Sequence, residues 1–415
     1  MPATIAIVAD DLTGAADTAV GFLRSGGAGF VTWPEPEIPT ALIEQADVLA
    51  IDARTRTLDA AGAAARTADL VTMLRRAGVA TLYKKVDSTL RGHIGEEVRA
   101  ALTSWHSGSV AIVAPAFPRA GRTTMGGRQL VDGIPLDRPA IPEILAHAGI
   151  STIHADLACV RGGSVSGLLA QHGGGDPVAV VCDAERDDDL RIIARAGAGC
   201  GRAVVWVGSG GLAANFALPG ARFRDPRSEQ PESEAASPGP TIIFDPAPVA
   251  SSTGPVLIVV GSATGIAAGQ VAHIAAAGVR HFAPASDDRT AWTGCAHALE
   301  EALRRGEDVV VSVAFRSSLT SGPLEHDSRI AAALGELVRP FAELVGSLVV
   351  TGGETATSVL RAWGTTALRL IGEIEPGVPL SIAVGPRTIP VVTKAGAFGY
   401  PGTLTIARAR LRGAL

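Results

Sequence analysis

Short apolar runs, each followed by a polar or glycine-rich turn, are the feature that most constrains what this chain can fold into. A strand that is apolar on both faces belongs in a parallel sheet covered by helices on both sides. The runs predict strands at 4–9, 47–51, 79–83, 109–114, 178–182 and 203–207. A second series begins with the apolar run at Val256 and continues with predicted strands at 308–313, 347–351, 381–384 and 389–393. Amphipathic stretches such as 57–76 and 94–103 predict helices between them. The sequence therefore predicts an α/β protein of two layered domains, with mainly parallel sheets and a cleft between them.

A proline-rich segment separates the two series of strands. Residues 219–255 mix proline with serine, glutamate and glycine, a composition that resists packing. We expect a first domain at 1–218, a linker or surface excursion at 219–255, and a second domain at 256–415. A chain of 415 residues is long enough for two cores. The cleft between the domains is the expected place for a ligand.

Bulk composition argues against several classes of protein. The formal net charge of −5 disfavours a nucleic-acid surface. No charge-free run approaches the roughly 20 apolar residues of a membrane span, and the chain enters its first strand without a leader pattern. We therefore expect a cytoplasmic protein with no membrane partner. The four cysteines lack CxxC spacing and the histidines lack HExxH spacing, so no zinc site is predicted.

Two adjacent carboxylates follow the first predicted strand. Asp10 and Asp11 lie where the strand ends and a helix begins, and ligands of parallel sheets gather beyond the carboxyl ends of the strands. Either carboxylate can bind a hydroxyl, take up a proton or hold a lysine or Mg²⁺. One of the two is expected to cap the helix, which would not explain both.

Basic residues follow three neighbouring strands. The richest segment is 83–93, with Lys84, Lys85 and Arg91 beside Asp87 and several hydroxyls. The segment 52–56 adds two more arginines, and the loop after the next strand adds Arg119 and Arg122, each of which could equally be a solvated surface residue. Arginine pairs with carboxylates, while Ser, Thr and Asp bind hydroxyls. Together these loops predict a site for a polyhydroxy acid.

Glycine-rich turns characterise the second half. They are 260–265, 350–356 and 393–399, and they contain hydroxyls and one lysine. Such turns let backbone N–H groups and helix N-termini approach phosphate oxygens. Each turn alone is weak evidence, but three in one domain favour nucleotide phosphates. No GxxxxGK[ST] is present, so a Walker-type P-loop is excluded.

The segment 208–213 has the GxGxxA spacing of a dinucleotide-binding turn. That fingerprint also requires a following strand that ends in an acidic residue. In this chain the proline-rich segment lies where that strand would be. We therefore expect a tight turn that closes the first domain.

Six segments together resemble the four-carbon acid sugar kinases, in the same order and over nearly the whole chain. They are 10–15 (DDLTGA), 85–92 (KVDSTLRG), 114–118 (APAFP), 352–356 (GGETA), 375–379 (EPGVP) and 394–399 (KAGAFG). The resemblance implies a sugar-acid-binding first domain, a nucleotide-binding second domain, and ATP-dependent phosphorylation of threonate, erythronate or 3-oxo-tetronate at the 4-hydroxyl, with Mg²⁺ and ATP as cofactors.

The resemblance also implies roles for individual residues. It places Asp10, Asp11, Lys85 and Asp87 in catalysis, Thr13, Arg56, Ser88 and Arg91 on the substrate, and Ser262, Gly352, Gly353, Glu354, Thr355 and Gly396 on the nucleotide. Arg91 or Arg56, with Lys85, would anchor the substrate carboxylate. One of the three aspartates would take the hydroxyl proton, and the metal ligands stay open. Two departures are Thr264 in place of a serine and Thr55 in place of a serine.

Two other functions stay open. A non-catalytic sensor would bind sugar acid and nucleotide without transfer, and an NAD-linked dehydrogenase would use the turn at 208–213. The expected partners are a small sugar acid and ATP, with a homodimer as a further possibility and no nucleic acid.

Overall fold

The computed structural model describes residues 3–23, 27–34, 38–170, 176–216, 254–284, 289–313 and 324–413. The predicted linker therefore lies almost wholly outside the described residues. The domain boundaries stay predictions.

The described strands are β1 (Ile5–Ala9), β2 (Gly29–Thr32), β3 (Val48–Asp52), β4 (Thr81–Lys85), β5 (Val110–Ala114), β6 (Arg122–Met125), β7 (Arg128–Val131), β8 (Ile134–Pro135), β9 (Ser151–Ala155), β10 (Val178–Cys182), β11 (Val204–Gly208), β12 (Val256–Val260), β13 (Arg280–Phe282), β14 (Val309–Ser312), β15 (Ser347–Thr351), β16 (Ala367–Glu373), β17 (Pro379–Val384) and β18 (Pro390–Lys394).

The described helices are α1 (Leu12–Phe22), α2 (Thr40–Gln45), α3 (Ala60–Arg76), α4 (Ile94–Ser104), α5 (Ile141–His147), α6 (Leu157–Arg161), α7 (Val165–Ala170), α8 (Asp187–Ala198), α9 (Gly210–Ala214), α10 (Gly265–Ala276), α11 (Arg289–Arg304), α12 (Leu324–Val338), α13 (Gly353–Ala362) and α14 (Thr403–Leu411). Short 3₁₀ turns lie at Thr55–Thr57, Pro118–Ala120 and Arg339–Leu344.

One continuous sheet joins the two halves, in the order β13-β14-β12-β15-β18-β17-β16-β2-β3-β1-β4-β11-β5-β10-β9. All pairings from β2 to β9 are parallel, as are those from β13 to β18. The junction is antiparallel: β18 pairs with β17, β17 with β16, and β16 with β2. The predicted α/β class with mainly parallel strands is confirmed. The sequence did not reveal that the halves share backbone hydrogen bonds.

Both faces of the central strands are buried, as their apolar composition predicts. In β1, Ile5 and Ile7 pack into a core cluster that continues into the second half, where it includes Val350. Ala6 and Val8 face a second cluster on the opposite side of the sheet. Helix α1 packs against α9 and also against α13 of the second half. The start of α1 is therefore held between the halves.

The predicted strands match the structure to within two residues at most ends. The sequence missed β2, β9, β13 and β16, which are short or carry exposed residues, and it missed the separate antiparallel sheet β6-β7-β8. Among the described residues, no helix is both long and apolar enough to span a bilayer.

Candidate active site

Asp10 and Asp11 lie where β1 passes into α1, and both are buried. Asp11 caps the helix, because its Oδ1 accepts a hydrogen bond from the Gly14 N–H at 2.9 Å. Its Oδ2 accepts a second hydrogen bond from the Thr13 hydroxyl at 3.1 Å. The capping role predicted for one of the pair belongs to Asp11, and Asp10 is left free for the cations.

Arg56 joins the two carboxylates. Its Nε and Nη2 donate to Asp10 Oδ2 at 2.9 and 2.6 Å, and its Nη1 donates to Asp11 Oδ2 at 2.9 Å. Lys85 Nζ lies 3.2 Å from Asp10 Oδ1 and 3.7 Å from Asp11 Oδ1. A Cβ at Gly14 would overlap Lys85 Nζ. Glycine at this position therefore lets the lysine reach the helix start.

The two adjacent lysines point to opposite sides of the sheet. Lys84 forms a fully buried ion pair with Glu97 on α4, at 2.8 Å. Only Lys85 reaches the aspartates, because successive strand residues alternate between faces. Lys84 is therefore part of the core and not of the candidate site.

Asp87 organises the loop after β4. Arg91 binds it through Nε and Nη2 at 3.0 and 2.7 Å, and the Thr89 N–H donates to it at 3.1 Å. Leu90 between them has φ +59°, although its side chain is buried. A left-handed backbone at a leucine is strained and persists only where its surroundings hold it, as is common at functional loops. Arg91 is half exposed, so a ligand can reach its guanidinium.

These charges balance one another. Burial alone would raise the pKa of Asp10, but Arg56 and Lys85 outweigh it and hold the pKa well below its usual value. The pKa of Asp87 is likewise low, because Arg91 and Arg56 outweigh its burial. Burial would lower the pKa of Lys85, but the neighbouring aspartates raise it above its usual value. The carboxylates of Asp10, Asp11 and Asp87 therefore face three cations, Arg56, Lys85 and Arg91, and the charges nearly offset one another.

Arg119 and Arg122, which the sequence left undecided, have different surroundings. Arg119 pairs with Asp187 at the start of α8, at 2.7 Å. Arg122 begins β6 and turns toward the second half, where its guanidinium lies 5.0 Å from the ring centre of Phe398. The sheet β6-β7-β8 is anchored beside it, since the buried Gln129 amide donates to the Ser88 carbonyl at 3.0 Å. Arg122 is thus near the site and Arg119 is not.

The glycine-rich turns of the second half lie close together. Gly352 ends β15 with φ +97°, a conformation that requires glycine, and α13 begins at Gly353. Thr264 caps α10 and donates to the Gly396 carbonyl at 2.8 Å, while its hydroxyl lies 3.3 Å from that of Ser262. The threonine therefore retains the hydroxyl expected from a serine at this position.

Thr355, Glu354 and Lys394 lie in or next to the glycine-rich turns of the second half. Thr355 is buried in the first turn of α13, and a Cβ at Gly261 would overlap its hydroxyl. Glu354 lies in the same turn. Lys394 is fully buried and donates to the carbonyls of Ala395 and Phe398 at 2.8 and 3.0 Å. Burial lowers the pKa of Lys394 to about 8. This lysine holds its own turn together through these two hydrogen bonds.

The two sets of loops meet. A Cβ at Gly353 would lie 2.7 Å from Asp11 Oδ2, so the start of α13 touches the aspartate pair. Asp52, at the end of β3, accepts the Arg54 N–H and lies 3.0 Å from the Thr357 hydroxyl on α13. Burial and the nearby Asp11 raise the pKa of Asp52 to about 8. Protonated Asp52 can donate to the Thr357 hydroxyl, which lies 3.1 Å from the Gly353 carbonyl.

A pocket lies at this junction. Of the residues predicted from sequence, Asp11, Thr13, Lys85, Asp87, Ser88 and Arg91 line it. Asp10 and Arg56 lie behind them. The lining also includes residues not predicted for the site, namely Asp17, Phe117, Ser209, Gly377, Ala395 and Phe398. Phe117, Gly377, Ala395 and Phe398 occur in the resembling segments and could have been found there, whereas nothing in the sequence distinguished Asp17.

The turn at 208–213 is explained by packing. Ser209 caps α9, and its carbonyl accepts the Tyr83 hydroxyl at 2.6 Å. A Cβ at Gly208 would lie 2.6 Å from that hydroxyl, and one at Gly211 would overlap the Ala116 carbonyl. The glycines let the turn pack closely, and nothing in this geometry calls for a dinucleotide.

Within the described ranges, no group of three or more His, Cys, Asp or Glu side chains is arranged to hold a metal ion. Magnesium often binds through one or two carboxylates together with substrate phosphates. Asp11 and Asp87, which line the pocket, are carboxylates of the kind that can contribute to such a site.

Comparisons with known proteins agree with this geometry. A family model described as a sugar-binding N-terminal domain matches residues 5–216, and one described as a nucleotide-binding C-terminal domain matches residues 257–404. The chain is 37% identical to a D-threonate kinase of Bordetella bronchiseptica, over 98% of this chain and 97% of the relative. It is 31% identical to a 3-oxo-tetronate kinase of Methylobacterium radiotolerans, over 96% and 97%.

A solved structure from Salmonella typhimurium, titled a putative tRNA synthase, covers 97% of this chain and 98% of its own with a TM-score of 0.74 at 21% identity. That likeness supports the fold. The site and the family models define a two-part protein with a sugar-binding and a nucleotide-binding half. The chain belongs to the four-carbon acid sugar kinase family.

Proposed function

We propose that this protein is an ATP-dependent kinase that transfers the γ-phosphoryl group of Mg-ATP to the terminal hydroxyl of a four-carbon sugar acid, with D-threonate as its substrate. One observation carries the proposal: the carboxylate and arginine loops of one half line a single pocket together with Gly377 and the 394–399 turn of the other half. The 37% identity to a D-threonate kinase, against 31% to a 3-oxo-tetronate kinase, favours D-threonate.

On the substrate side, Arg91 is the best anchor for the acid's carboxylate. It is half exposed, whereas Arg56 is buried behind the aspartates and Lys85 is fully engaged by them. Ser88 and Thr13 line the pocket and can bind the remaining hydroxyls. Arg56 and Lys85 then hold the two aspartates in place through their ion pairs.

Asp11 is the best candidate to orient the attacking hydroxyl and take its proton. Its carboxylate lines the pocket and lies against Gly353, where the halves meet. Asp10 lies behind, and Arg56 and Lys85 outweigh its burial and hold its pKa well below its usual value, which makes it a poor proton acceptor. Phosphoryl transfer has a loose, anionic transition state, so orienting the hydroxyl and neutralising charge contribute more than strong basicity.

On the nucleotide side, the turns at 352–355 and 394–399 receive the phosphates, with Ser262 beside them. The N-terminus of α13 presents backbone N–H groups, and a Cβ at Gly352 would meet nothing nearer than 3.7 Å, so phosphate oxygens can approach that turn. Mg²⁺ would arrive with ATP and neutralise charge on the phosphates.

A coupled assay of ADP release tests the proposal. D-threonate, D-erythronate and 3-oxo-tetronate are offered in turn, and a carbon–phosphorus coupling measured by NMR locates the phosphate on the product. We expect D-threonate to give the highest kcat/KM and the phosphate to sit on C4. Nucleotide binding without any acid-dependent ADP release would refute the kinase and support the sensor.

Two variants sharpen that test. Asp87→Asn should lose turnover, because Arg91 and Arg56 lose their shared carboxylate. Asp187→Asn is the matched control, since Asp187 pairs with Arg119 away from the pocket. A homodimer stays a prediction that light scattering can test.

A further inference from the structure

Arg122 lies beside the pocket and is not paired with a carboxylate among the residues that the structure describes. Within the described part of the chain it forms no ion pair, and its hydrogen bonds go to the backbone carbonyls of Ala120 and, at 3.5 Å, Ala397. Its Nε is buried without a partner. Burial lowers the pKa of Arg122 below its usual value and outweighs the favourable charges of Asp132 and Asp87. A half-buried guanidinium with an unused donor suits an anionic ligand.

The position of Arg122 is between the two halves. It begins β6 in the first half, and its guanidinium stacks on Phe398, which follows Gly396 in the turn assigned to the phosphates. Phe117 packs against the same ring, with centroids 6.0 Å apart. Both phenylalanines line the pocket that Asp87 and Arg91 also line. Arg122 therefore bridges the substrate loops and the nucleotide turn.

The charge balance of the site indicates why an additional cation such as Arg122 is needed there. The three aspartates and their three cations nearly cancel, so they leave little positive charge for a sugar acid and a triphosphate. Phosphoryl transfer adds negative charge on the oxygens of the moving group, and a positioned arginine is the usual protein group that stabilises it. We propose that Arg122 binds the γ-phosphoryl group of the nucleotide and stabilises it during transfer. This inference rests on the proposed kinase function.

The chain supplies a matched control three residues away. Arg119 lies on the same loop but is paired with Asp187. Arg122→Gln should lower kcat by about 10³-fold, within the range of arginines that act on transferring phosphoryl groups, with little change in the KM of the sugar acid. Arg122→Lys should restore part of kcat, because it keeps the charge and loses the two-pronged geometry. Arg119→Gln should retain wild-type kinetics.

Binding separates a γ-phosphate contact from a structural role. Calorimetry on the full-length variants compares β,γ-imido-ATP with ADP. Arg122→Gln should bind the ATP analogue about 10-fold more weakly than wild type and ADP almost equally, because only the former has a γ-phosphate. Equal losses for both nucleotides, or no loss for either, would overturn the inference. If Arg122→Gln fails to fold in a thermal melt, the same comparison is made with Arg122→Lys, and equal losses are again the contradicting outcome.

The two proposals fail separately. An active wild type whose Arg122→Gln variant keeps its kcat rejects the role of Arg122 and leaves the kinase standing. A wild type that phosphorylates none of the acids rejects the proposed function. In that case the affinities for β,γ-imido-ATP and ADP still decide whether Arg122 contacts the γ-phosphate.

Discussion

The two halves use different materials where they meet around the pocket. The first half supplies buried charged side chains, with Arg56 and Lys85 locked onto Asp10 and Asp11. The second half supplies backbone, glycines and hydroxyls, as at Gly352, Gly353 and Thr264. Charged groups in a low-dielectric interior must be fixed by partners before a ligand arrives, whereas a phosphate-binding turn needs room and free N–H groups. We therefore expect the first half to be most sensitive to removal of a charged side chain. The second half should be most sensitive to a carbon atom added at a glycine.

Removing a buried charge should have the largest effect. Arg56→Met leaves the carboxylates of Asp10 and Asp11 with Lys85 as their remaining close cation, and removing one partner of a buried ion pair typically costs about 3–5 kcal/mol of unfolding free energy. Urea denaturation measures this loss. Arg304→Met, which breaks an exposed pair with Glu300, should cost less than about 1 kcal/mol. Similar losses of unfolding free energy for the two variants would contradict the view that the first half depends on buried, paired charges.

Adding one carbon should disable the glycine side. Gly353→Ala places a methyl 2.7 Å from Asp11 Oδ2 and should push α13 and the aspartate apart. We expect kcat to fall about 10²-fold, the effect of a displacement near 1 Å, with a smaller loss of stability. Gly269→Ala, within α10, meets nothing within 4 Å and is the control. If both variants kept full activity, the contact between Gly353 and Asp11 would be unimportant.

Asp52 should give the junction a pH dependence. Its pKa is about 8 when folded and near 3.8 when unfolded, so between these values the folded state binds one more proton. Stability should therefore fall as pH rises through this window, by about 2 kcal/mol between pH 6 and pH 7.5. Asp52→Asn should flatten that decline, while Asp59→Asn, at an exposed helix cap, should keep it. Chemical denaturation across the pH range checks the slopes. Parallel wild-type and Asp52→Asn profiles would contradict the prediction.

The smallest expected effect is at the hydroxyl that joins the halves. Thr357→Val removes the hydrogen bond to Asp52 and should cost about 1 kcal/mol. Thr366→Val, at an exposed threonine bonded to the Val384 carbonyl, is the control and should be nearly neutral. In a double-mutant cycle, Thr357→Val and Asp52→Asn should be non-additive. Additive costs would show that the two side chains act independently.

Much of the site was readable from sequence because strand order brings strand ends together. Asp10, Arg56 and Asp87 follow parallel strands of one contiguous group, β3-β1-β4. Lys85 is the last residue of β4, and the ends of these strands share one edge. The positions of the Lys84 and Lys394 side chains were harder to predict, because the direction of a side chain depends on tertiary packing that a local sequence pattern does not specify. The choice between Arg119 and Arg122 depended on Asp187, which is 68 residues from Arg119.

By itself, the sequence determined the α/β class, most strands of the sheet and the chemical character of each half, because apolar periodicity and turn residues act locally. Only the tertiary structure decided that β16 pairs with β2, that α13 begins against Asp11, and that Asp52 is buried beneath Thr357. These are contacts between residues as much as about 340 positions apart. They depend on how the two halves bury α1 between them, which no local pattern encodes.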